Sequence, residues 1–145
     1  MDITIEEVHV DKIINLRHRV LCEGLPIETA RFPGDEAPDA RHFAAVMIDG
    51  KRVVCCVSFM RVPYLTSPAW QLRGMATDPD FQGQGIGRKL LAVSEQAIVR
   101  SSDIRLFWCN ARLSAVRFYE KSGWYCVSAQ FEIPGAGSHC RMITL

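Results

Sequence analysis

The stretch that most constrains this chain is Met75-Ala-Thr-Asp-Pro-Asp-Phe-Gln82-Gly83-Gln84-Gly85-Ile86-Gly87-Arg88-Lys-Leu-Leu91. It reads as the end of a strand, a glycine-rich turn and the start of a helix. The helix is amphipathic: Ile86, Leu90, Val93 and Ala97 share one stripe, flanked by Leu91 and Ile98, while Arg88, Lys89, Glu95 and Arg100 fall elsewhere. Glycines at 83, 85 and 87 remove side chains where a backbone turns tightly or approaches a ligand. A helix start behind such a turn presents unpaired N–H groups and the positive end of a dipole, which favours a phosphate. Arg88 and Lys89 add positive charge there, although the same pattern also serves as an ordinary strand–helix turn.

Two common phosphate turns do not fit. A P-loop needs Gly-Lys followed by Ser or Thr, whereas Gly87 is followed by Arg88, Lys89 and Leu90. A dinucleotide fingerprint needs G-x-G-x-x-G, whereas the spacing here is G-x-G-x-G. Asp103 lies about twenty residues on, as a ribose-binding acid would, but precedes the next apolar run instead of following it.

The elements around this turn are mixed in kind. Ile3, Ile5 and Val8 predict a first strand, and Asp11 caps a helix through Val20, with Arg17, His18 and Arg19 read as a solvated basic face. From Cys22 to Arg41 the periodicity vanishes and acids outnumber bases, which predicts a long loop: an acidic lid that attracts a cationic amine, or a plain polar surface. His42–Ile48 and Val53–Val62 predict a hairpin about Asp49-Gly50, followed by a strand over Ala69–Thr77. After the glycine turn and its helix come a strand at Ile104–Cys109, a helix from about Leu113 to Gly123, and strands at Trp124–Ile133 and Cys140–Leu145. Three consecutive strands followed by strand–helix–strand–helix predict a mixed α+β sheet rather than a doubly wound one.

Composition narrows the class. At 145 residues the chain is read as one domain over residues 1–145. Seventeen basic and sixteen acidic residues leave a net charge of +1, which does not favour nucleic acid. The start Met1-Asp-Ile-Thr-Ile-Glu-Glu7 has neither a basic nor an apolar leader region, and Val53–Met60 is too short to span a bilayer, so a cytoplasmic protein without a membrane segment is expected. Six cysteines without a C-x-x-C spacing predict small buried thiols rather than a metal site or disulfide framework. Cys109, near a strand end, is the one thiol placed as a nucleophile would be, with no recognisable His or Asp partner.

A second motif follows the first: Asn110-Ala-Arg-Leu-Ser114-Ala115-Val-Arg-Phe118-Tyr119-Glu-Lys-Ser-Gly123-Trp124. Gln82-x-x-Gly85-x-Gly87 resembles the acetyl-CoA pyrophosphate signature of the GCN5-related N-acetyltransferase (GNAT) superfamily. The second motif is similar to its N-x-x-x-x-A-x-x-F-Y-x-x-x-G-F element, departing only where Trp124 replaces Phe. Leu16-Arg-His-Arg-Val20 and Phe131–Met142 look like a branch of the superfamily without an assigned substrate.

This resemblance implies a mostly antiparallel sheet of six to seven strands, splayed at the cofactor site, with about four helices. It implies acetyl-CoA as co-substrate, no metal, and direct transfer to a primary amine of a small molecule or peptide by a monomer or homodimer. A CoA-binding sensor or interaction module is the alternative. Met75, Ala76 and Thr77 would hold the pantetheine arm by strand backbone; Gln82, Gly83, Gln84, Gly85, Ile86, Gly87 and Arg88 would hold the pyrophosphate; Asn110, Ser114 and Phe118 would line the channel. Tyr119 matches the general acid that protonates the departing thiolate, or it packs beside Phe118. The base stays open among Glu28, Asp35, Glu36, His42 and His139; His139 follows the Gly-Ala-Gly loop near the expected acceptor site, where a structural role is the alternative. Glu28 is also a candidate acceptor contact, and Arg73 either binds an acceptor carboxylate or forms an ion pair.

Overall fold

The computed structural model describes residues 2–49 and 51–145. Its centre is an eight-stranded sheet: β1 (Ile3–Val8), β2 (Arg41–Met47), β3 (Val53–Arg61), β4 (Trp70–Thr77), β5 (Phe107–Arg112), β6 (Tyr125–Cys126), β7 (Phe131–Ile133) and β8 (Gly137–Thr144). The order is β1-β2-β3-β4-β5-β8-β6, with β7 also paired to β8. Three α-helices accompany the sheet among the described residues: α1 (Ile14–Leu21), α2 (Ile86–Ser101) and α3 (Val116–Lys121). Mixed α+β architecture and a mostly antiparallel sheet agree with the sequence reading; the strand count is higher and the helix count lower.

β2 and β3 are nearly continuous in apolar character because both faces of the sheet are covered. Phe43, Ala45, Val57 and Phe59 pack with Leu90, Leu91 and Ile98 of α2, whereas Ala44, Val46, Cys56 and Ala76 pack with Val10, Ile13 and Leu16 around α1. Edge-to-face contacts chain Phe43 to Phe59 at 6.1 Å and Phe59 to Phe107 at 5.6 Å across the first of these cores. A fully buried phenylalanine of this kind contributes roughly 1.5–3 kcal/mol of apolar transfer. The expected Asp49-Gly50 turn includes Gly50, which lies outside the described residues; the strands it joins pair antiparallel from Arg41↔Phe59 to Val46↔Val53.

The predicted final strands differ in detail. Trp124–Ile133 is two short strands, because the Ser128 hydroxyl accepts from Arg141 N at 2.9 Å and donates to Ala129 O at 2.8 Å. Side-chain bonds there replace the backbone ladder. At the other end, α1 starts at Ile14 instead of Asp11, and it is His9 Nδ1 that accepts from Asp11 N, over a 3-10 turn.

Arg17 corrects the solvated reading of the α1 basic face. Its side chain is wholly buried, donating to both carboxylate oxygens of Asp35 (2.7 and 2.9 Å), to Ser58 Oγ and to Ala30 O. Asp35 in turn accepts from Phe32 N, so this pair fastens the loop between α1 and β2 onto the sheet.

Two strand features position the site. β4 and β5 are parallel neighbours joined by the α2 crossover, and they pair only at Trp70↔Phe107 and Gln71↔Trp108. Beyond those pairs no residues join them, while β3 stays paired with β4 and β8 with β5. The sheet therefore opens at the carboxyl ends of two parallel strands, where ligands of α/β sheets gather. In addition, between Ser58↔Arg73 and Cys56↔Ala76 two β4 residues oppose the single Val57, a β-bulge in which Gly74 has φ 65°.

Candidate active site

The opening between β4 and β5 holds two adjoining cavities. One, about 600 Å³, lies on the side of the glycine turn, with Met75, Ala76, Thr77, Gln82, Gly83, Gly85, Gly87 and Arg88 on one wall and Ser114 and Phe118 on the other. The second, about 520 Å³, lies on the side of the α1–β2 loop, with Gln71, Arg73, Asn110, Arg112 and His139 in its wall. Met75, Ala115 and Tyr119 line both, so the cavities meet at these three residues.

The glycine turn is shaped for close approach. Gly83 and Gly85 adopt φ 75° and 80°, where an L side chain is strained, and a Cβ on either would point into open space. Gly85 is the N-cap of α2 and no side chain caps that end, leaving first-turn N–H groups available for an anion. Gly87 serves packing instead: a Cβ there would lie 3.3 Å from Phe118 Cε1 and from Thr77 Oγ1. Gln82 is tied back by donating from Nε2 to Thr77 O at 3.1 Å. Asp78 anchors the entry to the turn: it accepts from Asp80 N and pairs with Arg52 and Arg19. Burial would raise its pKa, but these donors outweigh burial and hold the carboxyl below its ordinary value.

Most of the anticipated cofactor residues converge on the first cavity. Gln84 does not: with Ile3, Ile5 and Ala45 it lines a separate recess on the opposite side of the turn. Asn110 belongs to the second cavity, its Oδ1 accepting from Arg141 Nε at 3.2 Å. Ile86 lines the first cavity but is largely buried in the core beneath α2.

Tyr119 stands where the cavities meet, edge-on to Phe118 at 5.1 Å and tilted against Trp124 at 5.4 Å. Burial, aided by the neighbouring Cys109 and Cys55, pushes its pKa well above the ordinary phenol value, so it is a protonated phenol at neutral pH. Cys109 also faces the second cavity, but burial pushes its pKa up to about 12 and keeps it a thiol.

The candidate bases separate clearly. His139 is buried in the cavity wall, stacked on Phe131, and its Nδ1 lies 2.8 Å from Gly137 O. A carbonyl only accepts, so Nδ1 carries a proton, and in the neutral ring the lone pair sits on Nε2. His42 lies away from both cavities, locked between Ser58 Oγ (2.6 Å) and Asp35 O (2.9 Å); burial, against the pull of Asp35, lowers its pKa and keeps it neutral. Asp35 is consumed by Arg17, Glu36 pairs with Arg31, and Glu28 is exposed on a 3-10 turn outside both cavity walls. Arg73 donates from Nε and Nη2 to Gln71 Oε1 and from Nη1 to Pro33 O; among the described residues it forms no ion pair.

Several wall residues carried no signal in the sequence. Val20, Phe32 and Lys121 arrive from α1, the loop and α3, and nothing local to them indicates a site. Gln71 lies upstream of the first motif and Arg112 at an unspecified position within the second, so neither motif marks them as wall residues.

Residues 39–126 match the acetyltransferase (GNAT) domain model. The chain belongs to the GNAT acetyltransferase family. It is similar to an uncharacterized N-acetyltransferase, YitI, of Bacillus subtilis (strain 168), with 32% identity over 140 residues that cover 95% of this chain and 93% of that protein. Its fold is similar to that of an acyl-CoA N-acyltransferase from Pseudomonas aeruginosa (TM-score 0.79, 15% identity, 99% and 100% of the two chains). It is also similar to the fold of the ribosomal-protein-S18-alanine N-acetyltransferase from Escherichia coli (TM-score 0.75, 19% identity, 97% and 92%). The GNAT fold implies acetyl-CoA as co-substrate, and the open glycine turn and uncapped α2 terminus fit its pyrophosphate. No helix among the described residues is long and apolar enough to cross a membrane.

Proposed function

We propose that residues 1–145 act as one N-acetyltransferase domain that passes an acetyl group directly to a primary amine, donor and acceptor being bound together. The observation that carries this reading is the meeting of two cavities at Met75, Ala115 and Tyr119. One has the chemistry for a phosphate-bearing donor, and the other has room for a small acceptor, since ligand sites commonly enclose about 300–1,000 Å³.

Acetyl-CoA supplies an acyl thioester whose carbon is open to an amine. Around it, Gly83, Gly85 and the first turn of α2, with Arg88, hold the pyrophosphate by backbone N–H and charge. Met75, Ala76 and Thr77, on the β4 edge that β5 has left, bind the pantetheine arm and offer an N–H to the acyl oxygen as it becomes negative. Ser114 and Phe118 close the opposite wall.

In the second cavity His139 Nε2 takes the proton that the nitrogen loses as the C–N bond forms. As the C–S bond breaks, the Tyr119 phenol gives its proton to the departing sulfur. Solvent exchange then resets both groups, leaving an amide and a free thiol. Burial keeps Tyr119 protonated at neutral pH, so the phenol holds the proton that this step requires.

The test is release of CoA thiol from acetyl-CoA across a panel of amines. Acceptor-dependent release with intersecting double-reciprocal plots is expected. No release with any amine, alongside CoA-induced thermal stabilisation, would identify a sensor instead; parallel plots would replace direct transfer with an acyl-enzyme.

A further inference from the structure

The ionisable side chains in the wall of the second cavity are Arg73, Arg112, His139, Tyr119, Cys22 and Cys109; no Asp or Glu is among them. Nearby acids are turned away or already engaged. Asp35 binds Arg17, Glu36 binds Arg31, and Glu132 accepts from the Ser138 hydroxyl on the hairpin that carries His139. The loop that reads as acidic in sequence therefore contributes no carboxylate to this wall.

Arg73 is held in a way that leaves it ready for an anion. A guanidinium has five N–H donors and no acceptor. Three are used, and both recipients are neutral oxygens: Gln71 Oε1 takes Nε and Nη2 at 3.1 and 2.9 Å, and Pro33 O takes Nη1 at 2.9 Å. One N–H remains on each terminal nitrogen. The contrast with Arg17 is informative, since that structural arginine has a carboxylate bound to both terminal nitrogens. Arg73 is oriented by carbonyls without being neutralised, and two donors on adjacent nitrogens suit the two oxygens of a carboxylate. Arg112, exposed on the facing strand and also without an ion pair among the described residues, adds charge of the same sign. Arg73 precedes the Gly74–Met75 bulge, so it stands immediately upstream of the point where the cavities meet.

We propose that the acceptor is a small amine that also carries a carboxylate, and that Arg73 receives that carboxylate while the amine reaches the junction at Met75 and Tyr119. This rests on reading the second cavity as the acceptor site. It replaces a cationic acceptor, which an acidic loop alone would favour, with an anionic or zwitterionic one.

The experiment compares amino acids with their carboxamides in the thiol-release assay, each rate expressed per unprotonated amine, beside an aminophosphonate and a polyamine. The expected result is a kcat/KM at least tenfold higher for the best carboxylate than for its carboxamide. In Arg73→Met that ratio falls to near one, in Arg73→Lys part of it returns, and CoA-induced thermal stabilisation in both variants confirms a folded donor site. Equal use of carboxylate and carboxamide, preference for the polyamine or the phosphonate, or an unchanged ratio in Arg73→Met would overturn the proposal while leaving the acetyltransferase reading intact. No release from any amine would overturn the underlying reading, and this one with it.

Discussion

Arg17 lies directly against Gly74: a Cβ on Gly74 would sit 2.8 Å from Arg17 Nε and 3.0 Å from the Phe32 ring. The β4 bulge that opens the sheet is thus packed beneath the buried ion pair that holds the α1–β2 loop. Arg17 also stacks over Phe32, 4.2 Å from its centroid, which connects the loop to the second cavity.

Gly74→Ala is expected to destabilise the protein by about 2–4 kcal/mol, combining the left-handed backbone penalty with overpacking against Arg17. Urea denaturation measures this directly. A loss under about 0.5 kcal/mol would show that neither the φ of 65° nor the contact with Arg17 constrains the bulge.

Arg17→Met removes the cation from a buried carboxylate and should cost about 3–5 kcal/mol. Arg17→Met combined with Asp35→Asn should recover part of that loss, because the uncompensated charge is gone. A double variant no more stable than Arg17→Met would mean that packing of the long side chain, and not charge compensation, is what matters.

Gly85→Glu should abolish thermal stabilisation by CoA. The substitution forces a side chain onto a backbone with φ 80° and places a negative charge at the uncapped start of α2. For the native chain, CoA at about a hundred times its Kd should add about 2.7 kcal/mol of stability. An undiminished shift in the variant would remove the glycine turn from the donor site.

Tyr119→Phe should lower kcat by about 10²- to 10⁴-fold, the range of general acid catalysis, while CoA-induced stabilisation persists. The ring contacts with Phe118 and Trp124 survive this change, so packing alone predicts normal turnover. Turnover at the native rate would leave Tyr119 a packing residue.

Glu95, half-buried on α2 beside Trp124, supplies a pH dependence away from the site. Burial raises its pKa to about 7, only partly opposed by the Trp124 Nε1 donor at 3.3 Å. The folded chain therefore binds this proton more tightly than the unfolded chain. Its contribution to stability is complete below the unfolded value near 4.5 and is lost as pH rises through 7. Glu95→Gln should remove a decline on the order of 2 kcal/mol between pH 5 and pH 8, allowing for partial exposure. Parallel pH–stability curves for the two proteins would show that Glu95 ionises freely.

The glycine turn and the Asn110–Trp124 segment were legible because each is a contiguous run whose backbone demands are local. Gly83 and Gly85 adopt left-handed angles, and Phe118 and Tyr119 sit on the helix that their motif predicts. Trp124, the one departure from the second motif, is buried against Tyr119 and Phe107. Arg17 is not legible as a buried residue because three consecutive basic residues on a helix resemble a solvated face, and its partner lies eighteen residues away in a segment without periodicity. The break within the predicted Trp124–Ile133 strand is not legible because the Ser128 hydroxyl takes over backbone bonds that an apolar pattern assigns to the ladder.

By itself the sequence determined the family and the place of the glycine turn, since left-handed glycines and a helix start are conditions on neighbouring residues. Only the tertiary structure decided the electrostatic character of the second cavity. Arg73, Arg112 and His139 come from three strands, and the local charge depends on which acids fold toward other arginines. The acidic count of the α1–β2 loop points to a cationic acceptor, but Arg17 and Arg31 engage Asp35 and Glu36, leaving Arg73 without a carboxylate. Charge balance in a cavity is set by pairing through space, over distances of a few ångströms that separation along a chain does not encode.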